Sequence, residues 1–427
     1  MSRAEILLMI SFSLLAFIPR AGFLARNANA WELESHNDEW RHLEYATNLV
    51  DTSTFGREAG VADAEQPPLY PLVLSPFVSM FGWRSITVLW FQILIVSAAS
   101  GICSVIASWH GGLPAGIIAG TAATFYLPMV SYPAYFMTES ISVLLFVLAL
   151  LAFDVSFAAG SRTQAAKAAV ANGSMLAMLA LTRFAAFPLV LVSTTLILFR
   201  DGFSLKKNAI LVAVLGVAFC TTYSPWVIRN AVVFQKMILL SPKGKDAAGF
   251  AFYCAMNIRN GENLGQAREL ARRKVAELKS QGLSPDHEVD RFSADYLANC
   301  FQRFRIMLGE HPVLGLPVPF GGVKYGQSLL VNWANYLWTL TMYAGLLVAV
   351  VVAVAERDVR LAHLILLPLA LLTLYSLVHA IPRYQAVTFF TWSIPAGIGW
   401  ACLLKKLSSL ASRSKTETAE QRPLVQS

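Results

Sequence analysis

Charge is what this 427-residue chain has least of: 14% of its residues are Asp, Glu, Lys or Arg, against 56% hydrophobic. Soluble domains run nearer roughly 45–50% apolar. So few charges cannot cover a water-facing surface, which excludes an ordinary soluble domain. Cysteine is also scarce, at five. Cys103, Cys220 and Cys402 lie in apolar runs, where a small buried hydrophobe is the ordinary role. No spacing suggests a zinc site. Cys254 and Cys300 alone fall in a polar region and could pair if it faces an oxidising compartment. No solenoid-type repeat is present. The net charge of +8 is no argument for nucleic acid, because basic residues in such a chain mark cytoplasmic loops.

What is there is a series of long apolar runs, and about 20 apolar residues are needed to cross a bilayer. The expected fold is an all-α polytopic membrane protein of about ten transmembrane helices, with outer juxtamembrane and periplasmic helices. The expected spans are 6–24, 86–109, 113–129, 137–157, 165–181, 184–199, 209–228, 333–354, 361–378 and 386–404. The first has the outline of a signal peptide, with Ala28-Asn29-Ala30 as a cleavage-like site, but an uncleaved anchor is the preferred reading. The run Leu69–Phe81 is too short to cross and is placed as a juxtamembrane helix. With the N-terminus inside, Arg162, Lys167, Arg200, Lys206, Lys207, Arg357, Arg360, Lys405 and Lys406 fall on inner segments, as the positive-inside rule requires. This gives N-in and C-in, and places residues 25–85 and 229–332 outside.

The resulting organisation is an N-terminal module over 1–228, an outer helical region over 229–332, C-terminal spans over 333–405 and a polar, disordered tail over 406–427. In the outer region, Leu264, Ala267, Ala271, Val275 and Leu278 predict an amphipathic helix. Phe292, Tyr296, Cys300, Phe304 and Leu308 predict a second.

Titratable groups concentrate in the first outer loop, at His36–Ala46. Asp38, His42 and Tyr45 are spaced i, i+4, i+7, one face of a helix. Adjacent Asp38 and Glu39 must point apart, so one can face a substrate while the other holds structure. A carboxylate near an apolar surface has a raised pKa, which suits a general base. The plain alternative is a solvated juxtamembrane helix. Farther on, Glu139 opens an apolar span, either lining an outer cavity or complementing the helix dipole. Arg183 and Arg383 sit where basic residues are disfavoured, either as charges lining a pathway or as snorkelling interfacial side chains. Arginine's planar fork suits phosphate oxygens. The segment Tyr223–Asn230, read alone, is an interfacial belt with a proline stop.

Taken in order, these pieces resemble the GT-C class of membrane glycosyltransferases, over roughly residues 5–405. The nearest groups are bacterial relatives of protein O-mannosyltransferases and of the lipid A aminoarabinose and galacturonic acid transferases. The pieces are Asp38-Glu39 with Tyr45-Ala46, Gln66-Pro67-Pro68-Leu69-Tyr70-Pro71, Thr138-Glu139, Thr182-Arg183, Pro225-Trp226 with Arg229-Asn230, and Arg383-Tyr384. Gln66 departs from the aminoarabinose transferases, which carry there a lysine implicated in binding the lipid phosphate. The resemblance implies transfer of a sugar from a polyprenyl-phosphate donor to a hydroxyl of a lipid, glycan or protein, on the outer face of the cytoplasmic (inner) membrane. It implies Asp38 and Glu39 as the catalytic carboxylates, with Asp38 as base. Arg183 and Arg383 would bind phosphate, with Arg57 and Arg229 behind them, and His42, Tyr45, Gln66, Glu139 and Tyr384 would complete the substrate site. No cofactor is certain; Asp38 and Glu139 could share a divalent metal. A transporter or lipid flippase, or a non-catalytic assembly subunit, are the other readings. Charges clustered at one face favour surface chemistry over the mid-membrane sites of transporters.

Overall fold

The computed structural model describes residues 2–27, 37–83, 85–198, 205–241, 329–378 and 385–420, with shorter pieces at 252–253, 256–257, 262 and 264–283. The side chains of some helix-end residues, including Asp38, fall outside this description, as do Arg383, Tyr384, Cys254, Cys300 and the expected helix along 292–308.

A chain this apolar must satisfy its backbone internally, and a helix does so within one segment. Among the described residues all regular structure is helical, with no strand. Helix α1 is Arg3–Asn27, α2 Asn37–Thr52, α3 Leu69–Phe81, α4 Ile86–Thr124 and α5 Leu127–Ser131. Then come α6 Glu139–Ala158, α7 Arg162–Thr182, α8 Leu189–Leu198 and α9 Leu205–Phe234. The helices Leu264–Ser280, Leu329–Ala355, Val359–Val378, Gln385–Thr391 and Ser393–Glu420 follow.

The chain is a multi-pass membrane protein. Among the described residues, seven helices are long and apolar enough to cross a membrane. The number expected from sequence was about ten. The difference has a physical source. The segment Ile86–Thr124 counts once although Gly112, at φ 73° and ψ −173°, is non-helical and divides it into two helices just before Pro114. Glycine accepts this left-handed backbone without the Cβ penalty. The segments Phe184–Leu198 and Val359–Tyr375 are apolar but short. The last helix runs on to Glu420, beyond Lys406, where the sequence reads as a disordered tail.

Helix α1 and the Ser393–Glu420 helix both pack along α4, and α7 packs between α6 and α9. Lipid tails are as apolar as leucine, so close backbone packing has to replace hydrophobic drive between helices. Glycines allow that approach. A Cβ on Gly101 would meet the Met9 carbonyl, one on Gly173 the Leu215 carbonyl, and one on Gly399 the Gly345 carbonyl. Apart from the bundle, the Leu264–Ser280 helix buries Ala271 and Leu278 beside Tyr253. It follows the periodicity expected there.

Candidate functional site

The polar residues of the first loop divide into two sets, one turned into the bundle and one that fastens the loop.

The inward set starts on α2. Glu39 is 5% exposed, and its Oε1 accepts the Phe136 N–H at 2.9 Å. This ties α2 to the irregular stretch that leads into α6. His42 lies one turn on, edge-on to the Tyr70 ring at 4.9 Å. Tyr70, buried on α3, donates to Gln92 Oε1 at 2.9 Å. Gln92 in turn donates to the carbonyls of Pro133 at 3.1 Å and Tyr135 at 2.8 Å. Burial, then the negative charges of Glu39 and Glu139, push the Tyr70 phenol well above its ordinary range. It remains a donor at neutral pH.

Glu139 opens α6, where a carboxylate complements the helix dipole. Its Oε1 lies 2.7 Å from Arg183 Nη2, with side chains 1% and 7% exposed. Arg183 stands where α7 ends. Its backbone is extended (φ −147°, ψ 104°), and a short 3-10 turn follows at Phe184–Ala186. Nη1 of the same arginine donates to the Tyr375 hydroxyl at 3.3 Å. Helices α2, α3, α4, α6 and Val359–Val378, with the end of α7, thus converge on one buried patch of charge. Leaving one member of such a buried pair alone costs about 3–5 kcal/mol.

The second set fastens the loop between α2 and α3. Asp63 is its centre. Its carboxylate accepts the Tyr45 hydroxyl, the Arg57 N–H at 2.8 Å and the Glu65 N–H at 3.0 Å. Burial, then the bond to Asp63, holds the Tyr45 phenol far above its usual range. Arg229 reaches over from α9, donating to the Asp63 carbonyl at 2.6 Å and the Phe55 carbonyl at 2.7 Å. Asn48 holds the Gly56 carbonyl at 2.9 Å. Arg57 is exposed and pairs with Glu44 at 3.0 Å. Beside the loop lies a mostly apolar cavity of about 510 Å³, lined by Leu49, Phe55, Leu72, Leu181, Trp226 and Arg229 among others.

Of the residues expected in the site, Glu39, His42, Glu139 and Arg183 belong to the inward set. Tyr45, Arg57 and Arg229 belong to the fastening set, and Gln66 is half-buried just before α3. Asp38 lies in the first turn of α2, its side chain undescribed, and Arg383 and Tyr384 lie outside the described residues. Sequence reasoning missed Asp63, Gln92 and Tyr375, and gave Tyr70 no role of its own. Gln92 carried a signal, as a lone amide in an apolar run. Among the described residues no three His, Cys, Asp or Glu side chains come together as metal ligands.

No family model matches the chain, and no curated protein does. Solved structures do. The archaeal oligosaccharyltransferase AglB from Archaeoglobus fulgidus, in complex with an inhibitory peptide and a dolichol-phosphate, aligns with a TM-score of 0.56 at 14% identity. The alignment covers 97% of this chain and 52% of that one, so this chain spans about half of AglB's length. ArnT from Cupriavidus metallidurans, bound to undecaprenyl phosphate, aligns with a TM-score of 0.45 at 16% identity, over 93% of this chain and 78% of that one.

Proposed function

The chain shares the GT-C fold of AglB, and on that premise we propose that it is a membrane glycosyltransferase. It moves a sugar from a polyprenyl-phosphate donor to a hydroxyl of a lipid, glycan or protein on the outer face of the cytoplasmic membrane. The fold alone does not carry this reading. The observation that does is the buried Glu139–Arg183 pair, joined to the first loop through Glu39 and Tyr70 at one end of the bundle. Arg183, oriented by Glu139 and Tyr375, supplies a fixed positive charge. Fixed charge of that sign stabilises a phosphate as negative charge gathers on it.

The reaction is a single inverting displacement. The acceptor oxygen bonds to the anomeric carbon as the bond from that carbon to the phosphate oxygen breaks, and polyprenyl phosphate leaves. Asp38 takes the acceptor proton. The leaving group is already a stable anion, so no strong general acid is needed, unlike in glycosidases. Arg383 adds a second positive charge that offsets the charge on the phosphate. The apolar cavity beside the loop suits the first isoprene units of the donor.

The test is lipid and glycan mass spectrometry on a deletion strain and its parent, followed by transfer from a polyprenyl-phosphate sugar with purified protein. An unchanged envelope together with no transfer would end this reading.

A further inference from the structure

The other end of the bundle holds a second polar centre that this reaction does not use. Helix α6 runs 20 residues from Glu139 to Ala158, so its ends stand about 30 Å apart. Near the far end, Asp154 is 1% exposed and accepts Arg360 on both oxygens, from Nε at 2.6 Å and Nη2 at 2.8 Å. His110, just before the Gly112 bend, lies 3.1 Å from the same carboxylate. Asp358 accepts the backbone N–H groups of Arg360 and Leu361 at 2.9 and 3.0 Å, which fixes the start of the next helix. Arg360 is therefore held from both its backbone and its side chain.

It is held on the wall of a cavity of about 860 Å³, with Lys167, Gln164, Ser108, Trp109 and Glu5 around it. We propose that this cavity binds the phosphate group of an anionic ligand, with Lys167 and Arg360 as the cationic contacts. Lys167 is exposed and makes no ion pair among the described residues. The two-point bond to Asp154 pre-orients the arginine fork and leaves its Nη1 edge without a described partner. Helix α7 starts at Arg162, with Gln164 in its first turn, so the positive end of its dipole lies at the cavity wall. Glu5, the carboxylate on the wall, is engaged by the Ser2 N–H at 2.7 Å. Trp109, Val155 and Ala158 give the remaining wall an apolar character, which suits an amphiphile. The phosphate can come from a glycerophospholipid headgroup or from a soluble phosphate compound.

The experiment uses the full-length protein in phosphatidylcholine nanodiscs, with native mass spectrometry as readout. One arm titrates phosphatidylglycerol, and the other titrates inorganic pyrophosphate. Saturable binding is expected in one arm, and that arm identifies the source. Lys167→Glu is expected to weaken it about tenfold, as the loss of one charge-assisted hydrogen bond would. Lys206→Glu, at the same end but off the cavity wall, leaves it unchanged. Lys167 is exposed, so the variant is expected to fold. Absence of saturable binding in both arms overturns the site. So does equal weakening by both variants, which would mean diffuse surface attraction.

Discussion

Arg183 and Glu139, contributed by the end of α7 and the start of α6, meet at 2.7 Å with almost no solvent contact. Each makes the other's burial tolerable, so neither is expected to be removable alone. Arg183→Gln or Glu139→Gln should cost about 3–5 kcal/mol, because the remaining charge is stranded. The double variant should recover part of that loss. Thermal melts of the singles and the double in one detergent check it. Additive losses would mean the pair is not coupled. If Arg183 also serves the donor phosphate, the double variant regains stability without regaining transfer.

Arg229 is expected to act through the loop. Its two terminal nitrogens donate to the carbonyls of Asp63 and Phe55, and its guanidinium lies 5.5 Å from the centroids of both Phe55 and Trp226. Lysine cannot reproduce that fork. Arg229→Lys should free the segment between α2 and α3, costing about 1–3 kcal/mol, the scale of a lost charged hydrogen bond. Limited proteolysis should cut near Gly56–Val61 sooner than in the parent. Wild-type protection with weakened donor use would place Arg229 on the phosphate instead.

Tyr45 gives a prediction with a sign. Its phenol is held protonated in the folded protein by burial and by Asp63. An unfolded tyrosine titrates near about pH 10. The bond therefore stabilises fully below that pH, and its contribution is lost as pH rises through and above it. Tyr45→Phe removes the contribution, so the variant should melt lower at neutral pH and the gap should close toward alkaline pH. Parallel melts from pH 7 to pH 11, a range of about four units around the tyrosine value, follow it. A constant gap would remove Asp63 from the account.

Orientation is expected to be N-in and C-in. In a cysteine-free background, single cysteines at Gly265 and Ser284 should react with an impermeant reagent from outside, while those at Ser161 and Ser412 should not. Labelling of Ser284 from inside alone would reverse the topology and move the proposed chemistry to the cytoplasm.

Much of the fold could be read from the chain because apolar runs in a bilayer leave the backbone little choice but helix. The gap left between Trp109 and Leu113 falls at Gly112, whose non-helical backbone separates two helices within Ile86–Thr124. The site was less legible. Glu139 and Arg183 could each be singled out as charges near apolar spans, but nothing local says that they meet, since packing of α6 on α7 decides it. Asp63 sits in a loop without periodicity, so no pattern announces it as the group that gathers Tyr45, Arg57 and Glu65. Arg229 reads from the sequence as a charge behind Arg183 and Arg383, and charge alone does not reveal that its guanidinium donates to the backbone carbonyls of Asp63 and Phe55.

Asp38 carries the chemical part of the proposal. It opens α2 beside Glu39, whose carboxylate accepts the Phe136 N–H and so has a structural engagement of its own. Two adjacent helical residues point in different directions. If Glu39 anchors, Asp38 is the carboxylate of the pair left to serve as base. Asp38→Asn keeps size and polarity and removes the charge that accepts a proton. Turnover should fall by about 10²–10⁴, the usual contribution of a general base. Folding and donor binding should persist. Glu39→Gln should act in the opposite way, lowering stability through its bond to Phe136 more than it lowers the rate per folded molecule. The competing account makes Asp38 a residue of the helix start, and asparagine is as good there as aspartate. In that case Asp38→Asn transfers sugar at the parent rate, and the base must be sought elsewhere. Membrane levels and melting temperature measured beside the rate separate a lost base from a lost fold.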